Sequence, residues 1–129
     1  MRSSWVRGRV IAALLLAAVA CSHGKPGAPP EPRPDPILVH VKNDNFLDMN
    51  IAVVISGVSR RLGQVTGTSS ADFKVDYLMT VGQSIAILAT PIGGVGAATS
   101  GPLSVGEGQL VEFVIGSTLR QSSATVRNP

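Results

Sequence analysis

Cys21 carries the most reactive side chain in this sequence, and its surroundings limit what its thiol can do. It is the only cysteine, so it cannot form an internal disulfide. An apolar run, residues 10–20, precedes it, and a proline-rich stretch, residues 22–36, follows it and offers no core in which a thiol could be buried. Because an exposed thiol is a liability in an oxidising compartment, we expect the sulfur of Cys21 to be covalently modified.

Residue types that usually carry out catalysis or bind metals are otherwise sparse. His23 and His40 have no second histidine or cysteine nearby to complete a metal site. No G-x-S-x-G nucleophile elbow occurs, and a serine triad would have to recruit His40. We therefore predict no enzymatic activity, no catalytic residue, no metal and no cofactor.

Three local patterns suggest ligands, but each has a simpler structural explanation. Residues 43–48, NDNFLD, offer oxygens to calcium, yet they lack the order of a calcium loop and are typical of turns. Residues 93–98, GGVGAA, lack the third glycine and the following helix of a dinucleotide loop. Arg60 and Arg61 suit a carboxylate or phosphate, but neighbouring residues of a strand point to opposite faces.

The start of the chain has the composition of a signal peptide. Arg2, Arg7 and Arg9 form a basic segment, and the apolar run after them is shorter than the roughly 20 residues that span a bilayer as a helix. Small residues stand directly before Cys21, as a processing site requires. These features predict a signal peptide at residues 1–20.

Residues Ala18-Val19-Ala20-Cys21 resemble the lipobox of bacterial lipoproteins, in which leucine is preferred at the position of Ala18. The resemblance implies cleavage between Ala20 and Cys21, a thioether from Cys21 to diacylglycerol, and acylation of the new amine. Each buried CH₂ contributes about 0.8 kcal/mol, so two or three acyl chains hold a protein on a membrane. In two-membrane bacteria the family is retained in the inner membrane by aspartate after the cysteine, so Ser22 implies an outer-membrane protein that faces the periplasm.

Three other interpretations of the first residues stay open. Ordinary secretory cleavage after Ala18 or Ala20 would leave an unmodified thiol near the new N-terminus. The apolar run could instead be an uncleaved membrane anchor, although it is short for one. The third alternative is a cytosolic chain whose apolar start is accidental.

The charge of the chain argues against nucleic acid as a partner. The formal net charge is +3, from 11 Lys and Arg and 8 Asp and Glu. Removing Arg2, Arg7 and Arg9 with the signal peptide leaves eight basic residues, and all eight acidic residues lie beyond Cys21. The mature chain is therefore formally neutral and lacks the positive charge that binding to phosphates requires.

Residues 22–36 hold six of the nine prolines and predict a tether between Cys21 and the folded domain. Prolines at this density favour polyproline II, which rises about 3.1 Å per residue, so the stretch could extend to roughly 45 Å. A semi-rigid spacer and plain disorder are both compatible with this composition.

From residue 37 to 129 the apolar residues alternate with a period of two, which is typical of half-buried strands. Turn-forming residues separate these runs at the spacing of an antiparallel sandwich or barrel. We predict seven strands and leave room for an eighth at 119–126. The seven predicted strands are 37–42, 47–56, 60–66, 71–77, 84–90, 102–105 and 109–116.

Two segments of this domain resemble known proteins. LSVGEGQLVEFVI is similar to the last hairpin of many immunoglobulin-like and transthyretin-like modules, and RRLGQVTGTSSADFKV is similar to uncharacterised small bacterial lipoproteins. The resemblance implies an all-β antiparallel β-sandwich of about seven strands, immunoglobulin-like or transthyretin-like, and implies no activity.

Two classes of function fit such a domain. One is a structural or protein-interaction module that binds an envelope protein or polymer, and the other is a small-ligand receptor with the loop 92–101 as a lid. Four aromatic residues lie beyond Cys21, and Phe73, Tyr77 and Phe113 are predicted to face inward, which leaves only Phe46 to line a pocket. This favours the first class, whereas a cavity above about 300 Å³ lined from the loop would favour the second.

Overall fold

The computed structural model describes residues 27–129, and the alternating segments of this range form eight β-strands. Cys21, Ala20 and Ser22 and the predicted signal peptide lie outside the described residues. The strands are β1 (Ile37–Asn43), β2 (Met49–Ile55), β3 (Val58–Val65), β4 (Ser70–Val75), β5 (Ile85–Pro91), β6 (Ala98–Thr99), β7 (Leu110–Ile115) and β8 (Ser123–Arg127). Two single 3₁₀ turns, Tyr77–Met79 and Leu119–Gln121, complete the regular structure of these residues.

The strands form two four-stranded sheets that pack face to face. Sheet A has the order β4-β1-β7-β8, and sheet B has the order β3-β2-β5-β6. Within residues 27–129, five of the six strand pairs are antiparallel, and the pair β1/β7 is parallel. The all-β sandwich that the sequence predicts is thus confirmed, with one parallel pair at the centre of sheet A.

The strand order separates the two sandwich types that the sequence suggested. In an immunoglobulin-like sandwich the first two strands belong to one sheet. Here β1 lies in sheet A and β2 in sheet B, because the chain crosses between the sheets at residues 44–48. This order leaves the transthyretin-like arrangement as the one of the two that fits.

Alternate residues of the central strands meet between the sheets and form the core. In β1 these are Ile37, Val39 and Val41, and in β7 they include Phe113, the largest fully buried side chain. Phe73 and Tyr77 are partly buried and pack against the same core, so the three inward aromatic residues are placed as predicted. The core positions of β2 and β5 are Met49, Ile51, Val53, Ile55, Ile85, Ile87 and Ala89.

A close contact seals the sandwich where edge strands β3 and β4 meet. A Cβ at Gly63 would lie 2.6 Å from Cε1 of Phe73, so a side chain at this position would displace the ring. The glycine therefore lets the Phe73 ring cover the gap between the sheets. A β-bulge between Ile51 and Ala52 accommodates the extra residue of β3 at the same level.

The predicted strands at 102–105 and 119–126 differ in position from the observed ones. Residues 102–105 form only an isolated bridge, in which Leu103 pairs with Ile85, because Pro102 has no N–H to donate and Gly101 turns the chain with φ of 71°. The short strand β6 forms earlier, at Ala98–Thr99, inside the segment predicted as the loop 92–101. The eighth strand predicted at 119–126 exists, but it starts at Ser123 after a 3₁₀ turn.

The burial of the three phenylalanines predicts a graded effect of truncation on stability. We expect Phe113→Ala to lower the free energy of unfolding by about 3–5 kcal/mol, since the ring is fully buried. Phe73→Ala should cost less, because its ring is only partly buried, and the exposed Phe46→Ala should cost least. Denaturant unfolding of the protein measures the order, and a Phe46 variant as unstable as the Phe113 variant would contradict it.

Candidate functional site

The two ends of the sandwich differ in their relation to the start of the domain. We call the end where the chain enters β1 at Ile37 the proximal end. The opposite end, the distal end, is formed by the loops 44–48, 66–69, 92–97 and 116–122. Because loops carried on a rigid sandwich are the usual place for binding residues, each end is a candidate surface.

Asn43 organises the distal end from inside. Its buried side-chain amide donates to the carbonyl oxygens of Leu47 and Thr66, at 2.8 and 3.2 Å, while its Oδ1 accepts the N–H of Asn45 at 3.0 Å. Its own backbone N–H donates to the carbonyl oxygen of Ser69 at 2.8 Å. One side chain therefore joins the loop after β1 to the turn between β3 and β4.

Asn45 extends this connection to a third loop. Its Nδ2 donates to the carbonyl oxygen of Ser117 at 2.8 Å, and its Oδ1 accepts the N–H of Leu47 at 3.0 Å. The carbonyl oxygen of Asn45 accepts the N–H of Thr68 at 2.9 Å. The loops 44–48, 66–69 and 116–122 are thus held to one another by buried amides.

Asp48 connects the loop 92–97 to the other three loops of the distal end. The Oδ1 of Asp48 accepts the N–H of Gly67 at 2.9 Å, and its carbonyl oxygen accepts the N–H of Ile92 at 2.8 Å. A Cβ at Gly67 would lie 2.2 Å from the carbonyl oxygen of Phe46, so the backbones approach too closely there for a larger residue. A Cβ at Gly94 would lie 3.0 Å from Cδ1 of Leu47, which is a tight contact.

The hydrogen bonds of the distal end explain the oxygen-rich segment 43–48 without calcium. Oδ1 of Asn43, Oδ1 of Asn45 and Oδ1 of Asp48 each accept a backbone N–H. The Asp44 carboxylate pairs with Lys42 at 3.1 Å. Within residues 27–129, no group of three or more His, Cys, Asp or Glu is placed to hold a metal ion.

On this fixed framework, three apolar side chains point into solvent. Phe46 is 79% exposed, Val95 is 93% exposed, and Ile92 is also exposed. Large apolar side chains clustered on one surface mark interaction sites more often than single exposed ones, and aromatic residues dominate binding energy at interfaces. We call Phe46, Ile92 and Val95 the distal apolar patch.

The outer face of sheet A is polar and shows no catalytic arrangement. His40 Nδ1 lies 2.6 Å from Asp72 Oδ1, and these side chains are 40% and 83% exposed. In the part of the chain that the structure describes, no serine hydroxyl bonds to His40. Arg127 pairs with Glu112 at 2.8 Å on the same sheet, so this face is a solvated surface.

Arg60 and Arg61 do not form one anion site. Arg60 lies opposite Val53, whose side chain is in the core, and Arg61 lies opposite Ala52 on the outer face of sheet B. Since directly opposed residues share a face, the two side chains leave the strand on opposite sides. Arg61 donates to Oδ1 of Asn50 at 3.1 Å.

An open depression of about 380 Å³ lies on sheet B near the proximal end. Thr99 and Gly101 are its two lining residues from the segment 92–101, and residues 92–98 do not line it. The glycine-rich part of the segment lies at the distal end, so it is not placed to close over this depression. The lining residues are Val54, Ser56, Gly57, Ser84, Ile85, Ala86, Thr99, Gly101 and Pro102.

Known proteins resemble this chain in backbone structure and not in sequence. Neither a protein-family model nor a curated protein matches this chain. An NMR structure of a protein from Eubacterium rectale is 17% identical, with a TM-score of 0.47, over 80% of this chain and 97% of that one. A crystal structure of a Gram-negative toxin is 16% identical, with a TM-score of 0.40, over 72% of this chain and 23% of the toxin. Neither likeness bears on function.

Sequence reasoning noted the turn-forming residues of 43–48 but missed the site that they build. The signal that was present is Phe46, an aromatic residue placed outside every alternating run, in the middle of a polar turn. The predicted site residues Ala20, Cys21 and Ser22 lie outside the described residues. Among residues 27–129, no helix is both long enough and apolar enough to cross a bilayer.

Removal of the Asn43 side chain should loosen the whole distal end. Asn43→Ala leaves the carbonyl oxygens of Leu47 and Thr66 and the N–H of Asn45 without this partner, so we expect a loss of about 2–4 kcal/mol. Asn50→Ala, which removes an exposed amide bonded to Arg61, is the matched control and should cost well under half of that. Denaturant unfolding compares them, and equal losses would mean that the buried amide has no special role.

Proposed function

We propose that this protein is a membrane-anchored envelope lipoprotein whose small β-sandwich serves as a structural or protein-interaction module. Cys21 would carry the acyl chains after cleavage between Ala20 and Cys21, and the distal apolar patch would contact an envelope protein or polymer. The proposal involves no catalysis, no cofactor and no nucleic acid. Exposure of Phe46 and Val95 on interlocked loops is the observation that supports the binding role most directly.

Rigidity of the distal end supports a binding role for its apolar patch. Exposed apolar side chains on a mobile loop lose conformational entropy when they bind, whereas side chains on a fixed loop lose less. Hydrogen bonds from Asn43, Asn45 and Asp48 hold the loop that carries Phe46 to its neighbours. The patch is therefore preorganised for a partner with an apolar surface.

The position of the chain entry supports an anchored module. The described chain reaches Ile37 at the proximal end, and the distal apolar patch lies at the other end of the strands. A lipid anchor at Cys21 would therefore leave the patch on the side of the sandwich remote from the point of attachment. Ser22, which is not aspartate, supports an outer-membrane position facing the periplasm.

The anchor itself has a direct test. Cys21→Ala should abolish labelling by a clickable palmitate analogue and leave a larger, unprocessed precursor, because the acceptor sulfur is gone. Wild-type protein should be labelled and should float with outer-membrane markers. Ser22→Asp, which keeps the acceptor, is the matched control for labelling and should move the protein to the inner membrane. Undiminished labelling of Cys21→Ala would refute lipidation.

The binding role of the distal end is tested by photo-cross-linking in intact envelopes. A photoreactive amino acid at position 95 should give discrete adducts, and Phe46→Asp in the same chain should reduce them several-fold, since it places a charge in the apolar contact. The same probe at Thr125, on the solvated sheet A, is the control and should give few adducts.

Adducts of equal yield from positions 95 and 125 would contradict the assignment of the distal end. Adducts from position 95 that persist in the Phe46→Asp variant would also contradict it, because they would arise without the patch. Neither result would affect the lipidation at Cys21, which is measured separately.

A small-ligand receptor is the alternative function. The depression of about 380 Å³ favours it by size, but Thr99 and Gly101 are its only contribution from the segment 92–101 among the described residues. Binding pockets usually enclose most of their ligand, and this depression is open. If addition of a small ligand changed the NMR chemical shifts of the protein mainly at residues 92–101, the result would favour the receptor over the interaction module.

A further inference from the structure

The loop between β4 and β5 is fixed from the inside of the molecule. Asp76 Oδ1 accepts the N–H of Leu78 at 2.9 Å and so begins the 3₁₀ turn Tyr77–Met79. The carbonyl oxygen of Tyr77 accepts both the backbone N–H and the hydroxyl of the buried Thr80, at 2.8 and 2.9 Å. Since Tyr77 also packs against the core, the turn is attached to the sandwich at its start and its end.

This fixed turn presents aliphatic side chains to solvent. Leu78 is 61% exposed, Val81 is 54% exposed and Met79 is 44% exposed. Single exposed apolar residues are ordinary, but here three lie within four residues of one loop. We call Leu78, Met79 and Val81 the aliphatic tip.

The aliphatic tip lies beside the point where the chain enters the domain. Ile37, the first residue of β1, is paired with Val75 at the end of β4. A groove of about 460 Å³ is lined jointly by the residues before β1 and by the start of the tip: Arg33, Pro34, Pro36, Lys74, Asp76 and Leu78. The tip and the end of the tether therefore share one surface at the proximal end.

We propose that the aliphatic tip inserts into the membrane surface to which the protein is anchored, and so fixes the orientation of the sandwich on the bilayer. This inference rests on the proposed lipidation of Cys21. Apolar side chains at a membrane surface are buried at the boundary between headgroups and acyl chains, and binding there scales with the buried apolar area. The long side chains of Arg33 and Lys74, next to the tip, can place their charges at the headgroups while their stems remain in apolar surroundings.

Because the tether keeps the aliphatic tip near the membrane, a weak contact between the tip and the lipids is sufficient to orient the sandwich. Arg33 lies twelve positions after Cys21, so the contour of the chain keeps the groove within about 40 Å of an acylated cysteine. A short linker of this kind raises the local concentration of a second binding element to the order of mM. The tip therefore needs little affinity of its own, whereas the distal apolar patch at the other end of the strands remains available to a partner.

Depth-dependent quenching on vesicles tests the proposal. The acylated mature protein is reconstituted into vesicles of phosphatidylethanolamine and phosphatidylglycerol that contain lipids with a nitroxide near the headgroup. An environment-sensitive fluorophore is attached to Met79→Cys or, as the matched control at the other end, to Val95→Cys; the sulfur of Cys21 is blocked by its lipid. We expect the label at position 79 to be quenched at least about twofold and the label at 95 to be unaffected.

A second substitution separates insertion from mere proximity. Leu78→Asp should abolish the quenching at position 79, because a carboxylate opposes entry of the tip, while Ile92→Asp should leave it unchanged. If the protein floats with the vesicles but position 79 is not quenched, or positions 79 and 95 are quenched alike, the insertion of the tip is wrong and the anchor stands. If the protein does not float, lipidation is refuted and the insertion with it.

Discussion

The buried amide of Asn43 is the contact on which the arrangement of this sandwich depends. A chain that leaves one sheet and enters the other must turn through the end of the core, where its backbone groups lose contact with water. Asn43 provides two donors and one acceptor at that point, and Asn45 continues the pattern to the loop after β7. Every buried side-chain nitrogen and oxygen of residues 27–129 has a hydrogen-bond partner, so the buried amides of this turn are satisfied.

Internal hydrogen bonds also fix the loops at both ends of the sandwich. The loops of the distal end use Asn43, Asn45 and Asp48 to hold one another, and Phe46 and Val95 project from these loops into solvent. At the proximal end Asp76 and Thr80 play the corresponding part, since their hydrogen bonds close the turn that displays Leu78 and Met79. Internal polar contacts thus fix loops that carry exposed apolar side chains at both ends.

Alternation of apolar residues was enough to predict the sandwich, because side chains of a strand must go alternately to core and solvent. It placed β1, β2, β5 and β7 within about two residues of their observed bounds. The prediction was wrong at residues 102–105. Residues 103–105, LSV, alternate between apolar and polar, but Pro102 and Gly101 prevent a continuous row of strand hydrogen bonds. The distal end could not be predicted, because burial of Asn43 follows from contacts with Thr66 and Ser69, which are distant in sequence.

Residues 21–129 are formally neutral, which limits the kinds of recognition that they can use. With eight basic and eight acidic residues beyond Cys21, this part of the chain has no net charge to attract a polyanion at long range. The ion pairs of sheet A, such as Arg127 with Glu112, further compensate its charges locally. Both ends expose apolar residues, and the entry of the chain beside Leu78 is a feature that makes the ends inequivalent. Contacts of this kind depend little on ionic strength, unlike those of a basic patch on phosphates.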